Sequence, residues 1–435
     1  MATITGDRHL LGCSEQTLRV DDELRAKRES TTPRTYLLAP SAAGRRVIHT
    51  AANTETLPGE VARGDVDPAT GDEAVDEAYE SSGQVWDLFS EKFGRRSVDG
   101  EGTTVTITVH YGRNYDNAFW DGDQLVFGDG DGEIFDRFTK PMDVMAHEFA
   151  HGVTQFSAGL VYQGQSGALN ESVSDVFAAM TKQLSLGQTA EQADWLIGEG
   201  LFLPAIKAKA LRSMLEPGTA YDDPRVGKDP QVGSMADYVD TSDDNGGVHV
   251  NSGIPNRAFA LAAIGVGGSS WEKTGQAWYD ALTGGVVKAD TDFVGFARAT
   301  VDSAARLFPD DPSVSQAVEA AWVQVGVLAG GTGAEPSTPS PPPAETVAVR
   351  RSGGFTGAVR SAEIDLDADP QGAEVRRLMM RVDLQQITVS RARPDRFVYT
   401  VQYGDIHVTV PEQDLTPELD QVVKLVLDRG RLDLP

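Results

Sequence analysis

The chain has a single cysteine, Cys13, among 435 residues, which excludes a disulfide within the chain. No apolar run approaches the roughly 18 residues that mark a membrane-spanning helix, so no membrane span is expected. The opening stretch, Met1-Ala2-Thr3-Ile4-Thr5-Gly6-Asp7-Arg8-His9, lacks the apolar segment of a secretory signal. The expectation is a cytoplasmic protein, or one secreted by a non-classical route. Basic residues are scarce: 38 Lys and Arg against 65 Asp and Glu leave a formal net charge of −27. Such a surface repels polyanions, so nucleic acid is not expected as a partner. Histidine is scarce too, with seven in all. An apolar share of 40% still supports a real core, and the length suits roughly two to four domains.

Two of the seven histidines stand four apart in His147-Glu148-Phe149-Ala150-His151. On a helix that spacing puts both imidazoles on one face, within reach of one metal ion. Glu148 lies beside them, offset, where it can handle a proton of a bound water. A catalytic zinc takes three protein ligands and keeps one position open. Glu171, 20 residues beyond His151, is the candidate third ligand, with room for a loop and a return helix between. Asp175 lies one helical turn further on the same face and suits the far nitrogen of a ligating histidine. A purely structural zinc would normally be closed by four protein ligands. Three ligands and a positioned Glu148 therefore favour an enzyme over a metal-stapled binding protein.

The rest of the chain divides by composition. Residues 1–52 are charged and carry turn residues at Pro33 and Pro40. Apolar spacing predicts a helix within residues 70–97, through Val75, Ala78, Val85, Leu88 and Phe89. Strands are expected at Val105–Val109, around Asn117 and at Gln124–Phe127, and Pro141 opens the helix of the two histidines. The Asp129-Gly130-Asp131 run reads as a tight turn between strands, because it lacks the spacing of a calcium-binding loop. Residues 206–328 read as mostly helical, with helices at 257–264, 271–282, 293–307 and 313–325. The Gly/Pro-rich stretch 330–346 is a linker, flexible at its start and stiff at its end. Beyond it, residues 347–435 read as a small α+β unit with strands at 347–351, 396–401 and 407–410, helices near 373–380 and 417–427, and a glycine turn at 352–357.

Seven stretches occur in the order of a known family: Asn117-Ala118-Phe119-Trp120, Gly128-Asp129-Gly130-Asp131-Gly132, the His147–His151 pentapeptide, Gly159-Leu160-Val161-Tyr162-Gln163, Gly167–Ser172, Leu211-Arg212-Ser213-Met214 and Asp244–Gly253. Over residues 55–328 the chain resembles the thermolysin-like zinc peptidases, and most of all their short-precursor, protealysin-like branch. The resemblance implies an α+β fold with two lobes. These would be a β-rich N-terminal lobe with the zinc helix (53–205) and a helical C-terminal lobe (206–329), with 1–52 as pro-segment. It implies a Zn2+ cofactor held by His147, His151 and Glu171, with Glu148 as general base and proton shuttle. By the same resemblance His249 and Tyr162 stabilise the oxyanion, and Asp175 and Asp244 orient His147 and His249. Asn117 and the backbone at Ala118 would hold the substrate main chain, and Arg212 the peptide carbonyl beyond the scissile bond. Taken alone, Tyr162 reads as a core tyrosine and Arg212 as a solvated charge. The Asp-Asn-Gly-Gly run before His249 independently favours a shaped loop, since paired glycines permit unusual backbone angles.

Phe135, Val144 and Leu211 would line the pocket for the residue after the scissile bond, which implies cleavage before large apolar residues. Asp143, Asp194 and Glu199 align with calcium ligands of longer family members. Lys182 and Leu196 stand where two further carboxylates would be, which leaves room for at most one Ca2+. The tail, through its Gly353-Gly354-Phe355-Thr356-Gly357 turn and Asp395–Tyr399 stretch, resembles emfourin, a proteinaceous inhibitor of such peptidases. The implied partners are protein or peptide substrates, the chain's own pro-segment and its own inhibitor-like tail. Cys13 reads as an incidental thiol, although a thiolate could close zinc's open position in the precursor.

Overall fold

The computed structural model describes residues 45–241 and 244–329. In the tail it describes 346–353, 360–366, 371–379, 397–403, 406–411 and 415–427, with three isolated residues. The chain divides into two compact units, residues 1–333 and 334–435. Cys13 and most of the expected pro-segment, linker and glycine turn lie outside the described residues.

The first unit opens with a five-stranded sheet in the order β2-β1-β3-β5-β4, built from β1 (Arg46–Thr50), β2 (Glu60–Gly64), β3 (Val105–Val109), β4 (Ala118–Trp120) and β5 (Leu125–Phe127). β1 runs parallel to β3 and antiparallel to β2, and β4 forms an edge. β1 lies within the segment 1–52 read as a pro-segment. Ile48 is fully buried and both sides of the strand are paired, so residues 46–50 are part of the five-stranded sheet.

Helix α1 (Glu73–Asp87) is capped by Asp72, whose carboxylate accepts from the Ala74 and Val75 amides, and it runs into a π turn at Leu88–Lys92. The zinc helix α2 (Met142–Gln155) starts after Pro141, which takes the cap position with extended backbone. α3 (Gly164–Leu186) packs along it, and nearly every residue of both is buried where they meet. Phe89 joins α1 to both, with ring centroids 5.2 Å from Phe149 on α2 and 4.8 Å from Phe177 on α3. The zinc helix is thus clamped from two sides, which fixes the direction of its histidines.

Residues 206–243 differ from the expected helix. They hold β7 (Arg212–Ser213), which pairs with β6 (Leu196–Ile197) upstream, and a two-stranded ladder of β8 (Asp222–Asp223) with β9 (Gly227–Lys228), in largely irregular chain. Proline and glycine recur there at Pro217, Gly218, Pro224, Gly227, Pro230 and Gly233, too often for a helix to propagate. Helices follow: α4 (Asp244–Asn251), α5 (Gly253–Val266), α6 (Thr274–Thr283), α7 (Phe293–Leu307) and α8 (Pro312–Gln324). One apolar core runs from Ile48 on β1 to Val327 past α8.

The second unit is a four-stranded antiparallel sheet in the order β11-β10-β12-β13, from β10 (Thr346–Gly353), β11 (Arg360–Asp365), β12 (Phe397–Tyr403) and β13 (Ile406–Pro411). Helices α9 (Gly372–Met379) and α10 (Pro417–Leu427) complete it. Val347, Val349, Ile364, Val401, Val410, Leu419 and Val422 form a separate core.

Candidate active site

His147 and His151 project from one face of α2, and their Nε2 atoms lie 3.1 Å apart. Glu171, on the second turn of α3, brings Oε2 to 3.3 Å from His147 Nε2 and Oε1 to 3.5 Å from His151 Nε2. A tetrahedral zinc with bonds of about 2.0–2.2 Å has donor–donor edges of roughly 3.3–3.5 Å. The three donors therefore fit a zinc ion. They form the only group of three or more potential metal-ligating side chains found among the described residues.

The far nitrogens are fixed. His147 Nδ1 lies 2.8 Å from Asp175 Oδ1, and His151 Nδ1 lies 2.9 Å from Asn170 Oδ1 and 3.2 Å from Ser174 Oγ. Asn170, which lies in the Gly167–Ser172 stretch with no role assigned there, is anchored in turn by its Nδ2 donating to the Leu160 carbonyl at 3.0 Å. Fixing Nδ1 in this way leaves Nε2 of each ring facing the metal position. Arg212 grips Asp175 with two hydrogen bonds, Nη2 to Oδ1 at 2.7 Å and Nε to Oδ2 at 2.8 Å.

The electrostatics follow from burial and pairing. Burial works against charge on Asp175, but Arg212 and then His147 outweigh it and hold the carboxyl well below its usual range. Glu171 is likewise held low against burial, by His249 first and then by the two zinc-face histidines. Burial disfavours a proton on His147, yet Asp175 and Glu171 outweigh it and raise its pKa to about 10.

His249 reaches the same spot from α4. Asp244, Asn245, Gly246 and Gly247 are four successive left-handed residues, at φ 52°, 50°, 83° and 72°. The turn they make lets Asp244 accept from the His249 amide at 2.8 Å and approach its Nδ1 at 2.6 Å. Asn and Gly are the residues that tolerate this backbone, which is why the run reads as a shaped loop. Gly167 on α3 permits the close approach, since a Cβ there would meet Val248 Cγ1 at 2.5 Å. Tyr162 hydrogen-bonds Glu171 through its hydroxyl and lies 3.2 Å from His249 Nε2.

The cleft over this group is lined on its polar side by Asn117, Glu148, Tyr162, Arg212 and His249. Its apolar wall is Phe138, Val144, Ile197 and Leu211. Ala118, on the sheet edge, also faces it. Phe135 does not line the cleft. It packs behind the wall, its ring 5.7 Å from Phe138 and 5.0 Å from Phe202. Phe138 and Ile197 line the cleft instead, and no sequence signal had singled them out.

The candidate calcium cluster holds the lysine that its sequence placed there. Lys182 Nζ sits among the acids, 3.0 Å from Asp194, 3.1 Å from Glu199 and 3.3 Å from the Leu196 carbonyl. Asp143 is buried and accepts from the Gly198 amide at 3.0 Å. Burial raises its carboxyl to about 6 even with Lys182 acting against the shift. The ammonium thus stands among the carboxylates where a cation would bind. Asp129 and Asp131 do not form a tight turn between strands. Asp131 instead receives the Glu133, Ile134 and Phe135 amides, and Asp129 pairs with His110.

The fold and site define a zinc peptidase, and comparisons with known proteins name its kin. Residues 28–155 match the thermolysin metallopeptidase catalytic domain, residues 158–327 its alpha-helical domain, and residues 349–427 the emfourin family. The chain is 51% identical over 315 residues to an extracellular metalloprotease of Pectobacterium carotovorum subsp. carotovorum, covering 72% of this chain and 90% of that one. It is 48% identical over 284 residues to protease PrtS of Photorhabdus sp. (strain Az29), covering 65% and 76%. Among solved structures, the precursor of protealysin, a metalloproteinase from Serratia proteamaculans, superposes with a TM-score of 0.64 at 56% identity. That match covers 65% of this chain and 87% of the other. The chain belongs to the thermolysin metallopeptidase family. It is a zinc metalloendopeptidase, protealysin-like in its catalytic unit and carrying an emfourin-like domain at its C-terminal end.

Proposed function

We propose that the chain is made as a precursor, cleaves peptide bonds before large apolar residues, and is held in check by its own emfourin-like tail. The observation that carries the catalytic assignment is the convergence of His147, His151 and Glu171 at zinc-like spacing, in a cleft also lined by Glu148, Tyr162 and His249. Zinc bound by the three ligands supplies Lewis acidity and a water whose pKa approaches about 7. Glu148 takes the proton of the attacking water and returns it to the leaving amine. His249, held by Asp244, and the Tyr162 hydroxyl donate to the oxygen that gains charge. The Asn117–Trp120 edge offers hydrogen bonds to an extended peptide laid along it, and Arg212 takes a carbonyl beyond the scissile bond. Phe138, Val144, Ile197 and Leu211 make an apolar pocket suited to a Leu- or Phe-sized side chain.

The relationship to a protealysin precursor supports a removable N-terminal segment, and the pairing of β1 favours an end before Arg46. The emfourin match supports inhibition by the tail, for which a short linker provides an effective concentration on the order of millimolar. The extracellular relative supports action outside the cell; no helix among the described residues is long and apolar enough to cross a membrane. The test is zinc-dependent cleavage of a quenched peptide by the full chain and by a chain ending at residue 330, each beside its Glu148→Ala control. Activity that rises on truncation and vanishes in the controls supports both claims. Equal activity at both lengths removes inhibition by the tail. No activity in either, with zinc bound and the N-terminal segment removed, removes the catalytic assignment.

A further inference from the structure

Asp175 carries four hydrogen bonds, of which His147 and Arg212 account for three. The fourth comes from Asn256, whose Nδ2 donates to Asp175 Oδ2 at 2.8 Å from a side chain with no solvent exposure. We propose that Asn256 is a positioning residue of the zinc site, which fixes the carboxylate of Asp175 and through it the ring of His147. The proposal rests on the reading of His147 as a zinc ligand and Asp175 as its orienting partner.

Two observations carry it. The first is geometric. Arg212 holds the carboxylate through two side-by-side hydrogen bonds, which resist rotation in the guanidinium plane but leave hinging out of it. A third donor from another helix removes that freedom. Asn256 belongs to α5, and its amide hydrogen-bonds the Ser252 carbonyl at 3.0 Å. The Ser252 hydroxyl in turn donates to the His249 carbonyl at 3.0 Å. Asn256 thus ties the zinc-ligand side of the cleft to the segment that bears His249, across 81 residues of sequence.

The second observation is a cost. To aim its Nδ2 at a carboxylate, Asn256 must turn its Oδ1 the other way. That oxygen is buried and has no hydrogen-bond partner among the described residues. An unpaired buried acceptor destabilises a fold. Leucine has nearly the same shape and no such penalty, so packing alone does not favour asparagine here. A residue that breaks a local rule at a functional site, at the expense of stability, is the signature of a positioning role.

The experiment uses the full chain loaded with zinc. Zinc release to a chromogenic chelator, the melting temperature of the metal-free protein, and kcat and KM on a quenched peptide are measured for Asn256→Leu. The expected result is zinc release or affinity altered for the worse by about 10–100-fold, as for partners of ligating histidines elsewhere. kcat falls with KM within about twofold, and the metal-free melting temperature is unchanged or higher. Wild-type zinc retention in Asn256→Leu overturns the proposal, as does a zinc loss matched by a fall in metal-free melting temperature. Should Asn256→Leu not fold, Asn256→Ala is compared with Val318→Ala, a core change away from the site. Zinc loss greater in Asn256→Ala supports the proposal, and equal retention in the two overturns it. Asp175→Asn separates the two levels of inference. If it too retains zinc like wild type, the underlying reading of Asp175 fails. If it loses zinc while the Asn256 variants do not, only the role of Asn256 fails.

Discussion

The roles proposed for Glu148 and His249 at one cleft differ, and single substitutions separate them. Glu148→Gln keeps the shape of the side chain and removes its basicity. Zinc content should stay at the wild-type level while kcat falls by about 10²–10⁴, measured by metal analysis beside steady-state kinetics. Tyr162→Phe and His249→Ala remove donors to the developing charge, and each should lower kcat by about 10²–10³ with little change in KM. Both pairs of partners were legible in the sequence to unequal degrees. The two histidines lie on one turn of helix, and Glu171 with Asp175 on another, so spacing alone reveals them. Asn170 and Asn256 are invisible in that way, because asparagine has no spacing rule and Asn256 meets Asp175 only through the packing of α5 on α3. Phe135 and Phe138 show a further limit. Which of two neighbouring aromatics faces the cleft depends on the backbone path of an irregular stretch, which periodicity cannot supply.

At the scale of elements, His110 clasps three segments together. It follows β3, its Nδ1 lies 2.8 Å from Asp129, and its Nε2 lies 3.1 Å from Asp72, the cap of α1. The Asp129 hydrogen bond, against a desolvation penalty, raises its pKa to about 9 from an ordinary 6.5. A raised folded-state value contributes stability that is fully present below pH 6.5 and lost as pH climbs through 9. His110→Gln should therefore lower stability at pH 6 by about 1–2 kcal/mol, allowing for partial exposure, and converge with wild type above pH 9. Denaturant melts at the two pH values decide it. Lys182 gives a second expectation. With its ammonium among Asp143, Asp194 and Glu199, removal of calcium at constant free zinc should leave the melting temperature unchanged. A fall of several degrees would show that calcium is bound after all. Element by element, α7 and α10 were read to the residue because their apolar spacing is unbroken. The stretch 206–243 departs from the helical character of the region beyond it, because proline and glycine recur there too often for a helix to propagate. β11 was missed because its six residues, Arg360–Asp365, alternate too briefly against charged neighbours.

For the whole molecule, the two units have separate cores and no core residue in common. Calorimetry of the full chain should resolve two transitions, and the upper or lower one should survive alone in a chain of residues 334–435. A single transition would mean that the units fold as one. The order of segments was legible because composition changes sharply at the Gly/Pro run. The start of the catalytic unit was not, because Arg46–Thr50 is short, and a strand of five residues gains its meaning only from the strands on either side.

That strand bears on where removal of the proposed N-terminal segment would stop, if a peptidase of this kind trims it. Peptidases of this kind read their substrates as extended chain, with free backbone donors and acceptors to pair. β1 offers none, since β2 occupies one side of it and β3 the other. Trimming can nibble inward only until it meets chain already spoken for. The boundary of the mature enzyme would then be set by sheet topology and not by a recognition sequence. N-terminal sequencing of the matured protein should find ends scattered among the residues ahead of Arg46 and none within the strand.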